Sequence, residues 1–467
     1  MNQLLRQLPS TTELLAEPSI QDLLQTLRHD TVVTAVRDVL DQIRHEILEN
    51  QVTETMSMEA IVQRIKATSQ RFHQTTLQPV INATGILLHT GLGRSPLPKQ
   101  ALTAISRISE GYASVEINLD TGKRSNRASA VENKLQHLFG CEAATVVNNN
   151  AGATLLALSA LADGREAIVS RGELVEIGGS FRMPDVMRTS GTQMVEVGTT
   201  NKTRASDYDQ AVNQETAVLM KIHCSNYQIA GFSESATISE LAEVAAKHNL
   251  ILIDDIGSGA LFDYTQYGIQ DEPVPTESLK HGSDVVLFSG DKLLGGPQCG
   301  IIVGRQECLD RINQHPLMRA LRVDKTIYAA LAATLDIYLG PDPEQHIPLL
   351  NLLQQSTETL QQRAETMVSQ LQQRLPDSFQ IASIGDVTFL GGGSVPGQEI
   401  STYCVVLQHD SLSPDDLSQQ LRTSETPILG RIQQNRFLID LRTVFSEQDE
   451  TIENIIVGTL ENTGELS

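Results

Sequence analysis

Seven short apolar segments alternate with helical patterns between residues 143 and 305, and this alternation limits the available folds more than any other feature. The segments span residues 143–148, 166–171, 193–198, 216–223, 250–257, 284–289 and 300–305. Most are continuously apolar, which predicts strands that helices bury on both faces. The alternation predicts an α/β layer architecture with a seven-stranded, mostly parallel sheet. The seventh strand is expected to return antiparallel if Gly295 and Gly296 form a tight turn.

Helical patterns flank this region. Apolar residues recur at helical spacing through about the first 75 residues, where Ser10 and Ser19 are expected to cap helices. The last part of the chain combines a helical stretch with short strand and helix patterns. The predicted domains are a helical N-terminal module (1–78), a large α/β domain (79–324), and a linking helix with a small C-terminal α/β domain (325–467).

The overall composition excludes several classes of protein. A formal net charge of −22 argues against a surface that grips polyanions everywhere. The five cysteines are scattered without a C-x-x-C pair, which disfavours a disulfide framework or a zinc site, and no metal is expected. No signal peptide or membrane-spanning run is apparent, so a cytoplasmic location away from membranes is expected.

Residues 289–298 (SGDKLLGGPQ) place Lys292 directly after a predicted buried strand, inside a glycine-rich turn. An ammonium group in a tight, partly dry place costs free energy unless the amine is neutral, paired or covalently bound. The setting suits a lysine that forms a Schiff base with an aldehyde cofactor. A solvated turn lysine is the alternative.

Residues 250–259 (LILIDDIGSG) end an apolar strand in two adjacent aspartates. Successive strand residues face opposite sides, so one carboxylate can point into a site while the other caps a turn or faces a helix. Asp255 lies 37 residues before Lys292. A carboxylate here can keep the ring nitrogen of pyridoxal phosphate protonated. The alternative is that both aspartates, Asp254 and Asp255, bind N–H groups of a helix or turn.

Residues 146–154 (VVNNNAGAT) lead from a predicted strand into a helix through small and amide side chains. The N-terminus of that helix offers free N–H groups and a favourable dipole for a phosphate. The predicted phosphate turn consists of Asn149, Asn150, Ala151 and Gly152. No Walker lysine pattern or G-x-G-x-x-G motif supports a nucleotide instead. An asparagine helix cap is compatible with phosphate binding.

Two groups of cations suggest further ligands. Arg319 and Arg322 are predicted to share a helix face, with Lys325 three residues further on, and Arg94 follows the small-residue segment 81–93. They favour a second anion distinct from the cofactor, and ion pairs with acids such as Asp324 are the alternative. Residues 123–127 form a second cationic loop, expected to meet an RNA backbone or a subunit interface.

In order along the chain, these motifs resemble the bacterial L-seryl-tRNA(Sec) selenium transferases, also called selenocysteine synthases. The resemblance covers almost the whole length and includes the lysine, aspartate, asparagine and arginine segments already described. The other matching segments are LRQLPS (5–10), INATG (81–85), SRGELVEIGGSFR (170–182), EVGTTN (196–201), SNY (225–227) and DLRT (440–443).

The resemblance implies a fold-type I enzyme that depends on pyridoxal phosphate. Lys292 would bind the cofactor covalently and take the substrate α-proton, Asp255 would pair with the ring nitrogen, and Ser289 would contact the cofactor. Arg94, Arg319 and Arg322 would hold selenophosphate. The implied reaction converts L-seryl-tRNA(Sec) to L-selenocysteinyl-tRNA(Sec) through an aminoacrylate. The N-terminal module would bind the tRNA, and the protein would form a homo-oligomeric ring of dimers, such as a decamer, with active sites at dimer interfaces.

Two departures and two competing interpretations accompany this resemblance. Ala151-Gly152-Ala153 follows the asparagine turn in place of three alanines, which is a minor change. Ser125-Asn126-Arg127-Ala128 replaces the family's Gly-Ser-Arg-His, so an expected histidine is missing at Ala128. A pyridoxal phosphate lyase acting on a free amino acid would share the lysine, the aspartate and the phosphate turn, but would not need the helical module. A non-catalytic RNA-binding scaffold would not need Lys292 and Asp255.

Overall fold

The computed structural model describes residues 2–49, 56–71, 77–178, 181–391 and 397–460. The chain divides into two compact units, Met1–Pro79 and Val80–Ser467. None of the described helices combines the length and the apolar character needed to cross a bilayer.

The first unit is helical, as predicted. Its helices are α1 (Asn2–Gln7), α2 (Thr11–Ala16), α3 (Pro18–Leu24), α4 (His29–Leu48) and α5 (Met58–Arg71). Ser10 caps α2 in a capping box with Glu13, as its position predicts. The prediction for Ser19 is wrong, because α3 begins at Pro18, which is suited to a first helical position. One face of α4 supplies half of the buried core cluster of this unit: Val32, Val36, Val39, Leu40, Ile43 and Ile47.

The second unit contains all the described strands. In chain order they are β1 (Ile81–Asn82), β2 (Ala143–Val147), β3 (Glu166–Ser170), β4 (Glu176–Ile177), β5 (Phe181–Arg182), β6 (Gln193–Val197), β7 (Lys202–Thr203), β8 (Thr216–Ile222), β9 (Glu234–Ser235), β10 (Ile251–Gly257), β11 (Val285–Ser289), β12 (Gly300–Gly304), β13 (Phe379–Thr388), β14 (Ile400–His409), β15 (Ile428–Leu429), β16 (Arg431–Gln433) and β17 (Arg436–Asp440).

Seven of these strands form the main sheet in the order β2-β12-β11-β10-β8-β3-β6. All seven were predicted, with ends shifted by at most one residue. Neighbouring strands run parallel except at β12, which is antiparallel to both β11 and β2. The return of β12 confirms the predicted direction, but its connection is the longer loop 290–299 rather than a tight turn at Gly295 and Gly296.

Helices cover both faces of this sheet. The helices of the second unit are α6 (Lys99–Ser109), α7 (Ser129–Phe139), α8 (Asn150–Ala162), α9 (Met183–Thr189), α10 (Ala205–Ala211), α11 (Ile238–His248), α12 (Pro275–Lys280), α13 (Gln306–Gln314), α14 (Leu317–Leu321), α15 (Lys325–Leu339), α16 (Pro343–His346), α17 (Pro348–Gln354), α18 (Thr357–Arg374), α19 (Pro414–Arg422) and α20 (Asp449–Leu460). One core cluster joins α8, α9 and α13 to the sheet. A second cluster joins α7 and α15 to the opposite face of the sheet, and a third joins α10 and α11 to that face. This double cover explains why the strands are continuously apolar.

A second sheet, β13-β14-β17-β16, lies in the last part of the chain and is antiparallel throughout. Its apolar side packs on α18, α19 and α20. The predicted strand patterns in this region correspond to β13, β14 and β17, and β16 completes the sheet.

Candidate active site

Lys292 lies in the loop that follows β11 and is only 5% exposed. The loop is tied to the end of β10, because Leu293 N donates to Ser258 O at 3.0 Å. A Cβ atom placed on Gly257 would lie 3.9 Å from Lys292 Nζ, so the amine approaches the backbone of β10 closely. Burial lowers the pKa of Lys292 and Arg94 adds to this, against the opposing charges of nearby acids. The site therefore favours a neutral, nucleophilic amine.

Asp255, on β10, faces helix α8. Its Oδ1 accepts a hydrogen bond from Asn150 Nδ2 and its Oδ2 accepts one from Thr154 Oγ1, both at 2.7 Å. Burial raises the pKa of Asp255, and these two hydrogen bonds and the charge of Lys292 oppose the rise. The arrangement fixes the carboxylate in orientation beside the lysine, where a cationic ring nitrogen would stabilise its charge.

Asp254 faces the other side of the sheet. Its Oδ2 accepts a 2.6 Å hydrogen bond from Ser278 Oγ on α12, and Ser278 in turn bonds to Ser283. Burial raises the pKa of Asp254 to about 7. Lys221 and Glu173 also act on it, and these three residues line a cavity of about 450 Å³ whose described lining does not include the phosphate turn.

The asparagine turn forms the N-terminus of α8. Asn149 caps the helix by accepting a 2.7 Å hydrogen bond from Gly152 N, which leaves the N–H groups of Asn150 and Ala151 for a ligand. A Cβ atom on Gly152 would come within 2.8 Å of Asn148 Oδ1. A larger residue at this position would require the Asn148 side chain to shift. Ser289, at the end of β11, is 7% exposed and pairs with Gly300 of β12.

The structure separates the predicted arginines into two places. Arg94 Nη1 donates to Asp291 Oδ2 at 2.7 Å, next to Lys292. Arg319 and Arg322 line a different cavity of about 530 Å³, together with Arg124 and Arg127 of the predicted cationic loop. The described lining of this cavity includes neither Lys292 nor Arg94, so one chain does not bring the three predicted anion ligands together.

The predicted helix face shared by Arg319, Arg322 and Lys325 is wrong. Helix α14 ends at Leu321, and Arg322 is extended and bridges to Val147 of β2. A new helix starts at Lys325. Asp324 caps it by accepting from the N–H groups of Thr326 and Ile327, rather than pairing with an arginine. Glu116 is the acid of this region, since it bonds to Arg124 and Arg127 and lies 4.0 Å from Arg322.

Four residues of this region were not assigned a role from the sequence. Thr154 is the second partner of Asp255, and Asp291 pairs with Arg94. Their positions inside the asparagine and lysine segments are a signal that could have found them. Ser258 and Glu272 lie buried near Lys292, and the segment around Glu272 carries no recognisable motif.

The residues around Lys292 fit pyridoxal phosphate. A weakly basic amine suits its aldehyde, a fixed buried carboxylate suits its ring nitrogen, and the N-terminus of α8 suits its phosphate. Buried Asn150 Oδ1 and His223 Nε2 have no hydrogen-bond partner in the described ranges. Since buried polar atoms are normally bonded, these two indicate room for a polar ligand.

Comparison with known proteins identifies the family of this chain. The family described as L-seryl-tRNA selenium transferase matches residues 80–445, and the one described as selenocysteine synthase N terminal matches residues 5–44. An L-seryl-tRNA(Sec) selenium transferase of Clostridium botulinum (strain Okra / Type B1) is 44% identical over 452 residues, covering 96% of this chain and 97% of the relative. One from Carboxydothermus hydrogenoformans is 41% identical over 457 residues, covering 98% of each.

Among solved structures, D-glucosaminate-6-phosphate ammonia-lyase superposes with a TM-score of 0.58 at 21% identity, covering 85% of this chain and 98% of that chain. This likeness concerns the fold, and the predicted fold-type I architecture is confirmed. The matched residues and the two near full-length relatives establish the family. The chain belongs to the L-seryl-tRNA selenium transferases.

Proposed function

We propose that this enzyme converts L-seryl-tRNA(Sec) to L-selenocysteinyl-tRNA(Sec), with pyridoxal phosphate bound through Lys292 and selenophosphate as the selenium donor. The observation that carries the proposal is the buried pair of Lys292 and Asp255 at the ends of adjacent strands. This pair lies in a chain that is related over almost its full length to enzymes named for that reaction.

Each residue of the site has a task in this reaction. Pyridoxal phosphate, when bound, supplies an electron sink for the substrate α-carbon. Asp255, held by Asn150 and Thr154, keeps a proton on the ring nitrogen. The N-terminus of α8 holds the phosphate, and Ser289 borders the cofactor. Lys292 would hold the cofactor through its amine and, when free, would take the proton from the α-carbon, and burial favours the unprotonated amine by lowering its pKa.

The selenium donor is a phosphate-like anion, which arginine recognises through paired hydrogen bonds. Arg94 is positioned near Lys292 by Asp291. Arg319 and Arg322 lie in a separate cavity of the same chain, and an arrangement of chains with active sites at dimer interfaces would allow all three to act on one donor. Such an assembly is part of the proposal, as a homo-oligomeric ring of dimers.

The helical module, residues 1–78, is proposed to bind the tRNA, with residues 79–324 as the cofactor domain and 325–467 as the linking helix and small domain. Residues 1–80 hold 7 Lys/Arg and 10 Asp/Glu. Binding would therefore depend on the shape of the RNA and a few placed cations rather than on overall charge.

The direct test incubates the purified protein with pyridoxal phosphate, selenophosphate and seryl-tRNA(Sec), and identifies the amino acid on the tRNA by mass spectrometry. Selenocysteine on tRNA(Sec) is expected, with none formed on seryl-tRNA(Ser). Turnover of free serine derivatives without any product on tRNA would overturn the proposal in favour of a small-molecule lyase.

A further inference from the structure

Three buried polar groups near Lys292 have no task in the reaction proposed above. The hydroxyl of Ser258, Nε2 of His223 and both carboxyl oxygens of Glu272 lack hydrogen-bond partners in the described part of the chain. The Ser258 hydroxyl still lies near enough to the carboxyl of Glu272 to influence its pKa, without full hydrogen-bond geometry. A recess with so many unsatisfied polar atoms is built for a polar ligand or a reacting group.

Glu272 is the acid of this recess. Its side chain is only 2% exposed, and its Oε2 lies 3.9 Å from His223 Nε2. The loop that carries it is fixed by two hydrogen bonds of 2.6 Å between the backbone of Gln270 and the side chain of Gln398. A loop fixed in this way holds the carboxyl in place, so its burial is a stable property of the site.

The electrostatics make this carboxyl a proton donor near neutral pH. Burial raises the pKa of Glu272 to about 7, against the opposing effects of Ser258 and Lys292. Burial lowers the pKa of His223 to about 4, and Lys292 and Lys221 add to this. His223 is therefore neutral and does not ionise its neighbour. Both side chains line a cavity of about 450 Å³, whose described lining also includes Asp254 and Lys221 but not Lys292, and solvent can reach the recess through it.

The proposed reaction needs an acid near the departing β-hydroxyl, because hydroxide is a poor leaving group. We propose that Glu272 is the catalytic acid that protonates the β-hydroxyl of the seryl group as it departs. The inference rests on the proposed function and adds a residue to it.

The step balances as follows in atoms and charges. Lys292 takes the α-proton, and the electrons of the broken Cα–H bond form the second bond between Cα and Cβ. The Cβ–O bond breaks, and its electron pair stays with oxygen, which takes the proton of Glu272 and leaves as water. Lys292 is left as an ammonium and Glu272 as a carboxylate. The carboxylate regains a proton from solvent through the cavity before the next cycle.

The test compares two substrates in the wild type and in Glu272→Gln. Seryl-tRNA(Sec) needs a proton on its leaving group, whereas β-chloroalanyl-tRNA(Sec) loses chloride without one. We expect Glu272→Gln to lose about 10²–10⁴-fold in elimination from seryl-tRNA(Sec) and to stay near wild type with the chloro substrate. Exchange of the α-proton with deuterium from solvent is expected to persist, since Lys292 is intact. Glu277→Gln, an exposed acid paired with Lys280 on α12, is the matched control and should match the wild type on both substrates.

A second measurement does not depend on turnover. Infrared difference spectra of the cofactor-free wild type should contain carboxylic acid bands of Glu272 and Asp254 that disappear as the pH rises through about 7. In Glu272→Gln the part that belongs to Glu272 should be missing, and the Asp254 band should remain. The turnover assay gains a further variant, Glu272→Asp, which retains a carboxyl group and should therefore be more active on seryl-tRNA(Sec) than Glu272→Gln.

The outcomes separate this inference from the proposed function. Equal losses on both substrates, no loss on either, or identical titrating bands in the wild type and Glu272→Gln would overturn the role of Glu272 while conversion of seryl-tRNA(Sec) by the wild type still stood. A wild type that processes neither seryl substrate nor selenophosphate would overturn both proposals.

Discussion

Asp254 and Asp255 are consecutive residues of β10, and both are almost fully buried, at 4% and 7% exposure. Their surroundings differ. Asp255 is held by two residues of α8, the helix that begins at the phosphate turn, and lies near Lys292 from the next strand. Asp254 bonds to Ser278 of α12 on the opposite face, and Lys221 lies beside it on the adjacent strand β8.

The difference shows that burial does not identify a functional acid. Both carboxyl groups have raised pKa values because both are removed from water. What distinguishes Asp255 is that its partners come from the two chain segments, the asparagine turn and the lysine loop, that also meet at the proposed cofactor. The two faces of β10 can therefore be tested against each other.

The largest effect is expected when Lys292 is removed, and removal of Lys221 on the other face of β10 is the matched comparison. Lys292→Ala should abolish the covalent bond to pyridoxal phosphate, and with it the visible absorbance band of the bound cofactor and all turnover. Lys221→Ala breaks an ion pair with Glu173 on the other face, so it should lower stability but leave the band of the folded protein in place. Loss of the band in Lys221→Ala alone would reverse the assignment of the two faces.

A smaller but still large effect should follow removal of one carboxylate. Asp255→Asn keeps the shape of the side chain but cannot hold a proton on the ring nitrogen, and kcat should fall on the order of 10²–10³-fold. Asp254→Asn should leave kcat close to that of the wild type, since Ser278 can still donate to the amide oxygen. Steady-state kinetics on seryl-tRNA(Sec), with both proteins saturated in cofactor, would distinguish them. Equal losses of kcat in the two variants would show that activity depends on the integrity of β10 rather than on the Asp255 carboxylate.

Much of the fold was predictable from the sequence because it depends on local patterns. Apolar runs, most of them continuous, marked each strand of the main sheet, with ends shifted by at most one residue. The patterns failed where non-local contacts decide the backbone. The bridge from Arg322 to Val147 and the cap at Asp324 end α14 early, and neither is visible in helical spacing.

The site was predictable to the extent that its residues belong to compact motifs. Lys292 and the asparagine turn each follow a strand, Asp255 lies near the end of one, and parallel strands bring their carboxyl ends to one edge of the sheet. Glu272 lies in an irregular loop whose position depends on Gln398, more than a hundred residues later. The placement of such a residue is a property of tertiary structure alone.

The raised pKa values of buried Asp254 and Glu272 predict that the stability of the fold depends on pH. The pKa of Asp254 is raised from near 3.8 to about 7, so the folded protein holds this proton more tightly than the unfolded chain does. Its contribution is complete below about pH 4 and is lost as the pH rises to about 7, with a slope of at most about 1.4 kcal/mol per pH unit. Glu272 acts in the same direction. Urea unfolding of the cofactor-free protein between these pH values should show a smaller slope for Asp254→Asn. An unchanged slope would mean that Asp254 does not titrate in this range.

The smallest effects are expected when the hydroxyl group that donates a hydrogen bond to each aspartate is removed. Thr154→Val and Ser278→Ala each remove one hydrogen bond to a buried carboxyl, and each should cost about 1–3 kcal/mol of unfolding free energy. Only Thr154→Val should also weaken pyridoxal phosphate binding, because only Asp255 must be oriented toward the cofactor. The Thr154 hydroxyl has a single proton and also lies 3.0 Å from Asn150 O, so its bond to Asp255 is made at the expense of a helix contact. Absorbance titration with the cofactor, beside urea unfolding of the cofactor-free proteins, separates the two quantities. Similar losses of cofactor affinity in both variants would mean that the two faces of β10 are coupled, and that Asp254 contributes to the site through the strand.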